Sequence, residues 1–225
     1  MKYSTLLFDN DNTLMDFAAA EAEALERTFR DNSIPFCDRL LASYSAINTD
    51  FWKRCERGEI EREDIFEGRF RAFAEKNSLT FDCAKVSRDY GKNLAYGHKL
   101  INGAMELLQN LSRNYAIYIV TNGISQTQDK RIKDAGMLPY LRGVFVSETT
   151  GFQKPQPGYF QYVFAHIEEK DPSKLLIIGD SLSSDIKGGA NAGIDTCWYN
   201  PSGDPCGDLR PTYEIRSLEE IYSIL

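Results

Sequence analysis

Asp9 and Asp11 stand one residue apart where the run Leu6-Leu7-Phe8-Asp9-Asn10-Asp11-Asn12-Thr13-Leu14 passes from apolar to polar. Side chains of extended backbone repeat every two residues, so the two carboxylates are expected to converge on one point. Two negative charges about 4 Å apart repel by about 4 kcal/mol at an effective dielectric near 20. A cation or a shared proton would relieve that repulsion, so the spacing asks for a metal. A calcium loop beginning at Asp9 is excluded, because Leu14 and Ala20 stand where it needs Gly and Glu. Further polar groups follow two other β-rich runs: Thr121-Asn122-Gly123 after Ile117-Tyr118-Ile119-Val120, and Gly179-Asp180 after Leu176-Ile177-Ile178. Lys154 is followed by Pro155 and Pro157, whose rings stiffen the backbone that carries it.

The elements around these residues fall into two textures. From residue 98 onward helices and β-rich runs alternate: helix at 104–111, strand at 116–120, helix at 125–135, strand at 144–146, helix at 157–166, strand at 175–178, helix at 185–192, strand at 196–198, a further strand at 213–215 and a closing helix at 218–225. Alternation of this kind implies a parallel sheet covered by helices on both faces, with ligands bound beyond the carboxyl ends of the strands. Residues 15–97 instead repeat helical spacing. Phe17, Ala20, Ala24, Leu25, Thr28 and Phe29 share one face, and Leu40, Leu41, Tyr44, Ile47, Phe51, Trp52 and Cys55 share the next. Phe66, Phe70 and Phe73 mark a third helix, and Cys83, Val86, Tyr90 and Leu94 a fourth. The expected fold class is therefore α/β: a doubly wound parallel sheet formed by residues 1–14 and 98–225, interrupted by an all-helical domain at 15–97. Arg54, Arg57, Arg62 and Arg69 read as a solvated face, and His98 and His166 have no partner acids at suggestive spacing.

A net charge of −7 and the lack of any Lys- or Arg-rich segment argue against a nucleic-acid polymer as partner. An anionic substrate must then be met by local positive groups. Five cysteines, odd in number and without Cys-x-x-Cys pairing, read as buried or inert thiols in a reducing cytoplasm. No apolar run approaches the roughly 20 residues of a membrane helix, and no cleavable apolar stretch precedes the first strand, so a cytoplasmic location without membrane attachment is expected.

Taken in order, Asp9-x-Asp11-x-Thr13, Thr121-Asn122-Gly123, Lys154 and Gly179-Asp180 with Asp185 resemble the four motifs of the haloacid dehalogenase-like hydrolases, and the match spans the chain. The resemblance implies a Rossmann-like core with a helical cap between motifs one and two, covering the crevice and excluding water. It implies Asp9 as nucleophile toward phosphorus and Asp11 as general acid and then base. Mg²⁺ would be held by Asp9, the main-chain carbonyl of Asp11 and Asp180, while Asp185 orients water or Lys154. Thr121, the backbone N–H groups of Asn122 and Gly123, and Lys154 would bind the phosphate of a small phosphomonoester. The spacers Asn10 and Asn12 would point away from the metal.

On a finer scale, the stretches at 46–52, 117–123 and 192–200 look like those of bacterial pyrimidine 5'-nucleotidases, which implies nucleoside 5'-monophosphates such as dUMP, dTMP and UMP as substrates. Within the same superfamily the alternative readings are a phosphoglycolate or sugar-phosphate phosphatase, or a phosphomutase. A non-enzymatic alternative is a receiver-type signalling module, but Asp11 as a second acid suits turnover better than a stored phosphate.

Overall fold

A computed structural model describes residues 2–225. β1 (Thr5–Phe8) is buried along its whole length, as the run Thr-Leu-Leu-Phe requires when both faces are covered. It joins β2 (Ala116–Thr121), β3 (Gly143–Val146), β4 (Leu175–Gly179), β5 (Asp195–Tyr199) and β6 (Tyr213–Ile215) in a six-stranded sheet ordered β3-β2-β1-β4-β5-β6. Every pairing is parallel, and Phe8 lies level with Ile119 of β2 and Ile178 of β4. The strand order reverses direction beside β1, and a crevice forms at such a switch point.

Contacts divide the chain into two compact units, one of residues up to Asp16 with Lys99–Leu225, the other of Phe17–His98. The second unit holds α1 (Phe17–Asp31), α2 (Asp38–Glu56), α3 (Arg62–Asn77) and α4 (Cys83–Leu94). Its core is aromatic: the Tyr44 ring lies 4.9 Å from Phe70 and 5.5 Å from Tyr90. Two expectations are corrected here. Arg69 is buried rather than solvated, donating from Nη1 to Asn48 Oδ1 at 2.7 Å and lying 4.9 Å over the Tyr90 ring. Phe51 and Trp52 are only half-buried, with Arg54 and Arg62 over their rings. The inward line of α2 runs through Leu40, Tyr44, Asn48 and Cys55, because Glu21 of α1 and Arg69 of α3 meet the amide of Asn48 there.

In the sheet-bearing unit the remaining helices are α5 (Ala104–Leu111), α6 (Ser125–Asp134), α7 (Ser147–Thr150), α8 (Pro157–His166) and α9 (Lys187–Asn191). Period-two alternation sends Leu6 and Phe8 toward Leu107 and Leu108 of α5, and Leu7 toward Tyr159, Phe160 and Val163 of α8. The sheet is thus doubly wound. The helix expected at 185–192 divides into a wide turn over Leu182–Ile186 and the short α9, where a Cβ at Gly189 would lie 2.5 Å from Ile177. The closing segment is a 3₁₀ helix, Leu218–Ser223, whose buried Leu218 and Ile221 follow its three-residue period. None of the five cysteines is in a disulfide; Cys55 and Cys197 are buried, and Cys37 is exposed. Among the described residues no helix is long and apolar enough to cross a membrane.

Candidate active site

Three adjacent strands deliver the polar groups. Asp9 follows β1, Thr121 ends β2, and Asp180 follows β4. The Asp9 N–H continues the ladder, donating to Ile178 O at 2.8 Å, which brings the β1 and β4 ends together. The hydroxyl of Thr13 accepts from the Asp180 N–H at 3.1 Å, and the Trp198 indole donates to Asp180 O at 2.8 Å.

Lys154 is the hub. Its buried ammonium donates three hydrogen bonds: to Asp9 Oδ1 at 2.7 Å, to Asp185 Oδ1 at 2.6 Å and to Val120 O at 2.7 Å. Three donors meet three acceptors, so the side chain has no freedom left. Its backbone is pinned by the Asn122 side chain, which accepts from Lys154 N at 2.8 Å and donates to Lys154 O at 2.9 Å. Asn122 therefore acts through its amide as well as through any main-chain donor. The Gly123 N–H donates to Thr121 Oγ1 at 3.1 Å, so a phosphate bound there would exchange with that bond.

Carboxylate oxygens of Asp9, Asp180 and Asp185 all lie within 4.8 Å of one another. Asp185 returns to this group because the wide turn after β4 lets its Oδ2 accept from Ser181 N at 3.1 Å. Gly179 leaves the space, since a Cβ there would fall 2.3 Å from that carboxylate. Burial and the neighbouring charges of Asp185 and Asp180 push the Asp9 carboxyl well above its ordinary range, against the pull of Lys154. Burial, then Asp185, pushes Asp180 up to about 7. Burial alone would lower the ammonium of Lys154, but Asp185 and Asp9 outweigh it and hold the lysine charged. Three carboxylates against one ammonium leave negative charge that protons or a further cation can balance, and an all-oxygen donor set suits a hard divalent ion.

Of the two acids in Asp9-x-Asp11, only Asp9 belongs to that cluster. The Asp11 carboxylate stands outside the cluster and turns to α6, accepting from Arg131 Nη1 at 2.5 Å and from Gln128 Nε2 at 2.6 Å. Alternation breaks after Asp9, where Asn12 has a left-handed φ of 60° and the chain bends through a tight loop. Asn10 donates to Gln128 Oε1 at 2.5 Å. Gln128 and Arg131 escaped the sequence reading. A Gln and an Arg at i, i+3 on a polar helix give no local sign of being buried.

A protein-family model described as haloacid dehalogenase-like hydrolase matches residues 3–193. YfnB of Bacillus subtilis is 48% identical over 225 residues, covering 100% of this chain and 96% of its own. A crystal structure of YfnB bound to magnesium superposes with a TM-score of 0.95 at 47% identity, covering 100% of this chain and 99% of that one. The pyrimidine 5'-nucleotidase PynA of Streptococcus pneumoniae is 35% identical over 227 residues, covering 100% of this chain and 96% of its own. The pyrimidine 5'-nucleotidase YjjG of Escherichia coli is 33% identical over 227 residues, covering 100% and 99%. With its motifs at the ends of three adjacent parallel strands and full-length relatives of this kind, the chain belongs to the haloacid dehalogenase-like hydrolases.

Proposed function

We propose that the protein is a Mg²⁺-dependent phosphomonoesterase that hydrolyses nucleoside 5'-monophosphates of the dUMP, dTMP and UMP type through an aspartyl phosphate. The observation that carries the phosphoryl-transfer reading is the Lys154 ammonium shared by Asp9 and Asp185, with Asp180 beside them. Nucleotide specificity is supported by the full-length similarity to PynA and YjjG.

In this reading an oxygen of Asp9 attacks phosphorus while the bond to the leaving oxygen breaks, and Asp11 gives that oxygen a proton. Water then attacks the aspartyl phosphate, Asp11 takes the water proton, and phosphate leaves with Asp9 restored. Lys154 keeps Asp9 oriented and helps neutralise the charge on the phosphoryl oxygens, while the Thr121 hydroxyl stands by as a further phosphate partner. Asp9, Asp180 and the main-chain carbonyl of Asp11 would hold Mg²⁺, with Asp185 orienting Lys154 beside them. Magnesium would supply charge neutralisation at the phosphoryl group.

The test is phosphate release from dUMP, dTMP, UMP, phosphoglycolate and sugar monophosphates, with Mg²⁺ and with chelator. Pyrimidine nucleotides should be turned over fastest, the chelator should abolish turnover, and Asp9→Asn should lower it by at least about a thousandfold. A faster rate on phosphoglycolate or a sugar phosphate would overturn the nucleotidase reading. Full activity in Asp9→Asn would remove the aspartyl phosphate.

A further inference from the structure

We propose that Gln128 and Arg131 of α6 are positioning residues that orient the Asp11 carboxyl group toward the leaving group, an inference that rests on the acid–base reading of Asp11. The helix itself raises the question. Its buried face is Thr127, Gln128, Arg131 and Ile132, so a Gln and an Arg occupy places where apolar side chains would serve packing better. What they face is one carboxylate.

Each oxygen of Asp11 has its own donor: Oδ1 takes Arg131 Nη1 and Oδ2 takes Gln128 Nε2. Two bonds to different oxygens arrest rotation about both side-chain torsions, which a single ion pair does not. A carboxylate offers about four lone-pair sites, so the pair of donors leaves a free site on each oxygen for a travelling proton. The clamp is itself held in register. Gln128 Oε1 accepts from the buried amide of Asn10, so a flipped Gln128 would set donor against donor. Gly123 leaves room for it, since a Cβ there would lie 2.3 Å from Gln128 Nε2.

Burial divides the labour. The Arg131 side chain is 1% exposed whereas that of Asp11 is 25% exposed, so the donors are shielded and the carboxyl group still meets substrate and water. Asp9, two residues earlier, is bound instead by Lys154. The two acids are thus held in separate settings by separate cations, which keeps the proton donor from collapsing onto the nucleophile's ammonium.

The experiment compares two leaving groups. Nitrophenolate departs without a proton, whereas an alkoxide needs one, so a misplaced acid slows only the alkyl ester. Single-turnover rates are measured on the alkyl phosphomonoester that ranks first in the substrate panel, and the burst of nitrophenolate from 4-nitrophenyl phosphate, for the parent, Arg131→Met, Gln128→Met, Arg131→Lys and Asp11→Asn. In Arg131→Met the alkyl rate should fall by about 30-fold or more with KM within about threefold, while the aryl burst changes by less than about threefold. Gln128→Met should show the same selectivity more weakly, and Arg131→Lys should recover part of the loss. Gln128→Met carries the test if Arg131→Met fails to fold, as thermal melting would reveal. Equal losses on both esters, or none on the alkyl ester, would overturn the inference. If Asp11→Asn is ester-selective and the clamp variants are not, the inference alone fails. If Asp11→Asn is not ester-selective, the acid–base reading falls first and the inference with it.

Discussion

Lys154 shows how one side chain organises charge. Its side chain is 1% exposed and its ammonium lies between two carboxylates, so its removal would leave Asp9 and Asp185 buried together without a counter-charge. Lys154→Met is expected to destabilise the metal-free protein by about 3–5 kcal/mol, read from urea denaturation. Added Mg²⁺ should restore part of that loss, because a divalent ion can answer the same charge. A variant as stable as the parent without metal would mean that Lys154 does not supply a needed counter-charge. The place of Lys154 in the site was legible from its order among the motifs and its Pro-flanked setting. Its saturation by three acceptors was not, because Val120 O and Asp185 come from parts of the chain that local spacing does not relate.

Among elements, α1 to α3 carry the clearest consequence. Glu21, Asn48 and Arg69 form a buried polar line from one helix to the next, with Ser45 also donating to Glu21. Burial raises the Glu21 carboxyl above its ordinary range, against the bonds from Ser45 and Asn48 and the charge of Arg69. The folded state therefore binds the Glu21 proton more tightly than the unfolded chain does. Through this group stability is greatest below the ordinary carboxylate range and declines as pH rises toward the elevated folded value. Glu21→Gln should abolish that share of the decline, so its melting temperature relative to the parent should rise between pH 4 and pH 7. A constant difference across that window would show that Glu21 titrates normally. Sequence periodicity could not reveal this line, since Glu21 and Arg69 look like solvent-facing residues until the helices meet.

For the whole molecule, the metal links the site to stability. Magnesium held by acids from the β1 and β4 ends would tie two segments far apart in sequence. At one hundred times its dissociation constant it should stabilise the sheet-bearing unit by about 2.7 kcal/mol. At roughly 2–4 °C per kcal/mol for a chain of this size, calorimetry should record a rise on the order of 5–10 °C. Asp180→Asn should reduce that rise, and an unchanged transition in the parent would argue that the acids hold no Mg²⁺. The strongly acidic cluster also fits the overall charge of −7, in which positive groups toward an anionic substrate must be few and placed, as Lys154 is.

The sequence by itself determined the fold class, because continuous apolar runs such as Leu6-Leu7-Phe8 and helical stripes such as Ala20, Ala24 and Phe29 are local patterns. It also determined which polar residues stand where strands end. Only the tertiary structure decided their partners: that Asp185 curls back to Lys154, that Asp11 meets Arg131, and that Arg69 goes inward. The physical reason is that a strand's spacing sets the side of the sheet a residue faces, whereas hydrogen-bond partners are set by which distant loops and helices the packing brings within about 3 Å.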